Sequence, residues 1–281
     1  MTAPHGFSAL ISRAFGHPSP RALYRRQMAS ALLALAGLLA MPETVAADPP
    51  RIFWAADHGP EQFDDDWQVR GVGKRMGGVN SADAIAVSEG QIRINASSDG
   101  TQLTVGAVRT RPAFAIRYGR VEVEMKICLA NGLRAAAWLQ SDQNFGRDGQ
   151  IGPGSEIDII EVIPGLRTYA AHNLHWGGYQ EQHRHTGQKV ALRNPCDWHR
   201  YHVDWSADSY RFGIDGRETW RTAEGVSHAD EYLILSIEAP DHLKPAVREA
   251  LLSKPDLGYI AVRDARWIPS KELDKAARPS K

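Results

Sequence analysis

The sequence predicts an all-β domain built as a two-sheet sandwich, and three observations carry that prediction. Short alternating or apolar segments recur at short spacing between turn residues, no internal repeat or strand–helix–strand rhythm is present, and helical periodicity is confined to residues 245–253. With 43% hydrophobic residues, the chain can fill a core between two sheets.

The first 47 residues stand apart. Arg13, Arg21, Arg25 and Arg26 precede an apolar stretch at 28–41, and Val45-Ala46-Ala47 offers small residues for cleavage before Asp48. This is the pattern of a signal peptide over 1–47, so the protein is expected to be secreted or periplasmic. The apolar stretch is shorter than the ~20 residues a bilayer-crossing helix needs, which argues against a membrane span. The Arg25-Arg26 pair also permits a twin-arginine route, and the long leader is compatible with a start further downstream.

From 48 to 269 the chain reads as one domain. Residues 84–87, 91–94 and 119–127 alternate or run apolar, punctuated by turn residues at 88–90 and 97–100. His199, Tyr201, Val203 and Trp205 line one strand face, and Tyr210, Phe212 and Ile214 line another that ends in an Asp215-Gly216 turn. The polar, Gly-rich stretch 142–153 reads as a loop over the sheet, and 270–281 as a charged, frayed tail. Without the leader, 29 basic and 32 acidic residues leave a net charge of minus three. That excludes the basic surface expected for nucleic acid or an anionic membrane, and it disfavours a heavily sulfated substrate unless a local basic groove overrides the net value. Cys128 and Cys196 form either a disulfide or two buried thiols, and their spacing is not that of metal ligands.

The densest chemistry lies in Glu156-Ile157-Asp158-Ile159-Ile160-Glu161, three carboxylates at offsets 0, 2 and 5 inside an apolar run. On a helix, at ~100° per residue, they would share no face. On a strand Glu156 and Asp158 point the same way, and one extra residue, a β-bulge, returns Glu161 to their face. Like charges on one strand face repel and weaken the sheet, so ordinary solvent-side acids are a poor account of them. Clustered carboxylates raise one another's proton affinity, which is how acid chemistry runs near neutral pH.

This strand resembles the active-site strand of glycoside hydrolase family 16, whose bulged form reads Glu-x-Asp-x-x-Glu. The resemblance extends to Tyr118-Gly119-Arg120 and Ala135-Ala136-Ala137-Trp138-Leu139 upstream. Downstream it takes in His175-Trp176-Gly177-Gly178, Trp198-His199-Arg200-Tyr201 with Trp205, and Phe212-Gly213-Ile214-Asp215-Gly216. It implies a β-jelly roll with a concave substrate cleft, and retaining hydrolysis of internal bonds in a polysaccharide. Glu156 is then the nucleophile, Glu161 the general acid and later base, and Asp158 the neighbour that tunes them. The substrate implied first is a β-1,3- or mixed-linkage β-glucan, with a galactan or bacterial exopolysaccharide next. Transfer to another sugar, and a non-catalytic glycan-binding module, are the competing readings.

The same resemblance makes Trp138, Trp176, His175, Arg109 and Asn80 candidates for holding sugar, Trp138 and Trp176 by stacking. Core packing is the competing account of each tryptophan. No cofactor is implied for catalysis, and the protein is expected to act as a monomer. His172 and His175, three apart, fall on opposite strand faces, and His183 and His185 share a face without a third ligand, so no catalytic metal is expected. A structural calcium is compatible with the family and with Asp64, Asp65 and Asp66 read as loop acids. Two departures bear on substrate. Gln150-Ile151-Gly152-Pro153-Gly154 stands where many β-1,3-glucan-cleaving relatives carry Trp-Pro, and Glu238-Ala239-Pro240 replaces a Gly-rich strand end, which makes the cleft floor more acidic.

Overall fold

Alternation of apolar and polar residues gives two sheets, each with one apolar face, and those faces close on one another. The computed structural model describes residues 49–144, 152–165, 168–271 and 273; the expected leader and most of the expected tail lie outside them. Among the described residues one sheet has eleven strands and the other seven. The larger runs Arg217–Thr222, Tyr210–Ile214, His199–Trp205, Gly119–Leu129, Asp256–Ile268, Gln91–Ser98, Leu103–Val105, Gly78–Asn80 and Gly73–Arg75, with Arg51–Trp54 and Ile85–Ser88 paired off this path. The smaller runs Arg184–Lys189, Tyr169–Trp176, Ser155–Ile163, Arg134–Gln140, Tyr232–Glu238, Ala107–Thr110 and Trp67–Val69. Neighbours pair antiparallel except Gly78–Asn80 with Leu103–Val105.

The core is the list of inward positions. Val121, Val123, Met125 and Ile127 meet Tyr201, Val203 and Trp205 from the larger sheet, and Ala137, Leu139, Ile157, Leu174, Leu233 and Leu235 come from the smaller. Each fully buried aliphatic or aromatic side chain stabilises the fold by about 1.5–3 kcal/mol relative to exposure. The expected helical turns at 245–253 are the helix Pro245–Leu252. A second helix, Pro60–Asp66, starts with Pro at its first turn and buries Phe63. It is too short to show a helical period in the sequence. Cys128 and Cys196 form a disulfide across 68 residues, tying Gly119–Leu129 to the segment that leads into His199–Trp205.

In the smaller sheet the strand Ser155–Ile163 carries the bulge. Asp158 pairs with Asn173 and Glu161 with Ala171, leaving two residues opposite His172. On the other edge Trp138 pairs with Asp158 and Ala137 with Ile160, which leaves Ile159 as the extra residue. Its carbonyl is taken up by the fully buried His172, whose Nδ1 lies 2.6 Å away. A carbonyl only accepts, so Nδ1 carries the hydrogen. Burial pushes the His172 imidazole down to about 4, in keeping with the neutral tautomer. The other ring nitrogen lies 2.7 Å from the Thr219 hydroxyl.

Candidate active site

The outer face of the smaller sheet carries a cleft of about 390 Å³ lined by the alternate residues of its central strands. Arg134, Ala136, Trp138 and Gln140 come from one strand, Glu156, Asp158 and Glu161 from the next, His175 beyond it, and Ser236 and Glu238 from the other side. Arg70, Arg75, Met76, Tyr179 and His183 reach in from outside those strands.

Each carboxylate has its own surroundings. Glu156 Oε2 accepts from the Tyr179 hydroxyl and lies 3.4 Å from Gln140 Nε2. Burial raises the Glu156 carboxyl above its usual range, the Tyr179 bond works against this, and Glu161 and Glu238 add to it. Asp158 is 4% exposed, and His175 Nε2 lies 3.6 Å from it. Burial first, then the charges of Glu161 and Glu156, lift Asp158 well above the carboxylate range. Glu161 accepts from Arg134 Nη1 at 2.8 Å and from the Asn173 amide. Glu238, the acid that the sequence adds to the cleft floor, is paired with Arg75 and, at 3.3 Å, with Arg134.

His175 stacks in a set of three imidazoles with His183 and His185, ring centroids 5.2 and 5.9 Å away, and its Nδ1 lies 3.0 Å from His183 Nε2. Burial and these two neighbours push His175 down to about 4, so it faces the acids uncharged near neutral pH. Among the described residues the group whose ligand atoms could converge on a metal is Glu156, Asp158 and His175, within 4.8 Å of one another. Asp64, Asp65 and Asp66, expected on a loop, instead end the helix Pro60–Asp66. Consecutive helical positions diverge by ~100°, so the three acids point in different directions.

The other expected sugar contacts are divided. Trp138 lines the cleft but is 5% exposed. Its Nε1 donates to Ser236 Oγ at 3.1 Å, and the Arg70 guanidinium lies 5.0 Å from its ring centroid. Trp176 is not in this cleft. It neighbours His175 on the same strand, so alternation turns it the other way; it is half-buried, packed partly against the core with Gly225 on its ring, and it lines a separate pocket with Glu181, Gln182, His183 and Arg184. Arg109 pairs with Ile234, on the cleft face but outside the cleft lining, and lies 4.8 Å from the Tyr232 ring. Asn80 is 1% exposed and donates to the Arg70 carbonyl at 3.3 Å, so its contribution is to hold the backbone that presents Arg70.

Arg134, Gln140 and Asn173 are cleft residues that parity alone would have found, since they alternate with Trp138 and His175. Arg70, Arg75 and Tyr179 leave no such trace. Of the expected loop over the cleft, residues 145–151 lie outside those described; within its described part Asp142 accepts from the Tyr232 hydroxyl at 3.0 Å.

A sandwich of two sheets with three clustered carboxyls and flanking arginines in an open cleft defines a carbohydrate-processing scaffold. The chain belongs to glycosyl hydrolases family 16, whose model matches residues 73–234, more than half of the sequence. It is 27% identical over 158 residues to the glucan endo-1,3-beta-glucosidase A1 of Niallia circulans, covering 50% of this chain and 22% of that one. Over 120 residues it is 27% identical to the keratan-sulfate endo-1,4-beta-galactosidase of Sphingobacterium multivorum, covering 42% and 28%. The chain thus spans less than a third of the length of either relative. In fold it resembles a family 16 protein of the Bacteroides ovatus mixed-linkage glucan locus, solved with a G4G4G3G product. The TM-score is 0.62 at 14% identity, over 73% of this chain and 95% of that one. Among the described residues no helix is long and apolar enough to cross a membrane.

Proposed function

We propose that the protein is an exported endo-glycosidase that cuts internal bonds of a β-glucan or galactan chain with retention of anomeric configuration. The observation that carries this reading is the register shift that gathers Glu156, Asp158 and Glu161 on one face of one strand, in an open cleft. Two positioned carboxyls suffice for retaining chemistry. Glu156 attacks the anomeric carbon, the bond to the leaving oxygen breaks, and Glu161 delivers a proton to that oxygen. Water then attacks the glycosyl ester, giving its proton to Glu161 and releasing Glu156. Asp158 is buried beside both, and burial together with the charges of Glu161 and Glu156 raises its proton affinity, so it is the neighbour that tunes the pair. Arg134 and Asn173 hold Glu161, and Tyr179 and Gln140 hold Glu156, which fixes the attack geometry before substrate arrives.

The relatives' names support both a glucan and a galactan main chain. The Cys128–Cys196 disulfide supports an oxidising compartment, in keeping with the signal peptide expected over 1–47. The test is reducing-end release from laminarin, mixed-linkage glucan, agarose, carrageenan and an acidic exopolysaccharide, with Glu156→Gln in parallel. Activity on one polymer is expected to fall by several orders of magnitude in the variant while its melting temperature is kept. Binding without cleavage by the parent protein would replace the hydrolase reading with that of a glycan-binding module.

A further inference from the structure

A neutral sugar ring is gripped by stacking on an open aromatic face, and at Trp138 that face is taken. The indole is 5% exposed, and the Arg70 guanidinium covers it. Trp176, the other expected platform, is half-buried and lies outside this cleft, in a neighbouring pocket. The exposed aromatic ring in this cleft is Tyr179, beside Glu156, and arginines line the rest of this end. Arg75 is neutralised by Glu238, and Arg134 by Glu161 and Glu238. Arg70 makes no ion pair among the described residues; its Nη2 donates to the neutral amide oxygen of Gln140 at 2.8 Å. The far end of that same amide lies 3.4 Å from Glu156 Oε2, so one glutamine side chain separates Arg70 from the proposed nucleophile. Arg109, further along the same face, likewise makes no ion pair among the described residues.

We propose that the sugar unit bound beside Glu156 carries an acidic substituent, a carboxylate or a sulfate ester, which Arg70 recognises. The proposal rests on the hydrolase reading above and narrows its substrate to an acid-bearing polysaccharide. One Arg70 nitrogen is taken by the neutral Gln140 amide oxygen; the guanidinium's remaining N–H groups are of the kind that match the oxygens of an anion. Burial, followed by the nearby Arg75, lowers the Arg70 proton affinity, so its charge is held at a cost that an incoming anion relieves. A neutral glucan would displace water from this cation and give nothing ionic in return. The cleft lining as a whole holds three arginines and four carboxyl groups, so the cation at issue is Arg70 alone, the one arginine of that lining without an ion pair among the described residues.

The experiment compares the full chain with Arg70→Gln and Arg70→Lys on four polymers: a sulfated galactan, a uronate-bearing exopolysaccharide, laminarin and mixed-linkage glucan. Binding is read in a Glu156→Gln background at low and high salt. The expected result is cleavage of at least one acidic polymer. Its kcat/KM falls about 10- to 100-fold in Arg70→Gln, the range of a charged hydrogen bond. Arg70→Lys recovers part of this, and salt weakens binding of the acidic polymer only. The sulfated and uronate arms then identify the anion. Melting curves of both variants separate recognition from folding, because a purely structural Arg70 would slow every polymer alike. Neutral glucan cleaved at least as well as any acidic polymer, with their ratio unmoved by Arg70→Gln, would overturn the proposal and leave the hydrolase reading standing. Silence with no binding on all four would overturn both.

Discussion

Replacing Glu231 by Gln should stabilise the protein at neutral and alkaline pH, and the structure sets the size of the effect. Glu231 is fully buried behind the start of the carboxylate strand. Its Oε1 accepts from the Ser155 N–H at 3.2 Å and from the Ser227 hydroxyl, while Oε2 has no partner. Burial pushes this carboxyl from 4.5 up to about 8, against the pull of Ser227 and Ser155, with Glu156 and Asp230 adding to the rise. A folded value above the unfolded one means that the native state holds a proton the unfolded chain releases. Glu231 therefore costs nothing below about pH 4.5, and stability drains away as pH rises until the native carboxyl also ionises near 8. At about 1.4 kcal/mol per pH unit the penalty is roughly 3 kcal/mol at neutral pH and roughly 5 kcal/mol beyond the folded value. Gln keeps the accepting oxygen and puts two N–H groups where the protonated acid has one O–H, a pH-independent cost, so the change of the difference with pH isolates ionisation. Between about pH 4.5 and neutral pH the melting temperature of Glu231→Gln should gain about 6–12 °C on that of the parent. A difference between the two proteins that stays constant with pH would refute the reasoning.

Two further outcomes follow from the cleft and its bulge. Arg134→Met leaves Glu161, whose side chain is 13% exposed, without an ionic partner while Glu238 keeps Arg75, and should lower stability by about 2–4 kcal/mol in denaturant melts, short of a fully buried pair because the guanidinium is a quarter exposed. Arg75→Met leaves Glu238 on Arg134 and should cost less than half as much; equal losses would mean that the Arg134 pairs do not carry the difference. His172→Phe removes the donor to the Ile159 carbonyl while keeping a ring stacked on Phe212, at 5.0 Å in the parent. It should lower stability by about 1–3 kcal/mol and reduce kcat without touching the cleft; unchanged melting and unchanged turnover together would show that the bulge holds itself.

The clustering of the three acids was legible because a strand has only two faces. Three carboxylates at offsets 0, 2 and 5 can share one face only through an extra residue, and Ile159 is that residue. The same rule could have gone further. His175 and Trp176 are adjacent, so both cannot enter one cleft, and fixing His175 by its place beside the acids already sends Trp176 the other way. What alternation cannot reach is the third dimension of the cleft. Arg75 meets Glu238 across 163 residues, and Arg70 meets Gln140 across 70. Nothing local in either segment records those partners. Asn80 shows the same limit from the other side. An asparagine near a glycan site invites a sugar contact, yet its amide is spent on the carbonyl of Arg70. The substrate question therefore rests on a residue no motif marks. A tryptophan aligned with a stacking position keeps its place in the sequence, but a guanidinium laid over its face changes what it can bind, and the partner that covers it is visible only once the chain is folded.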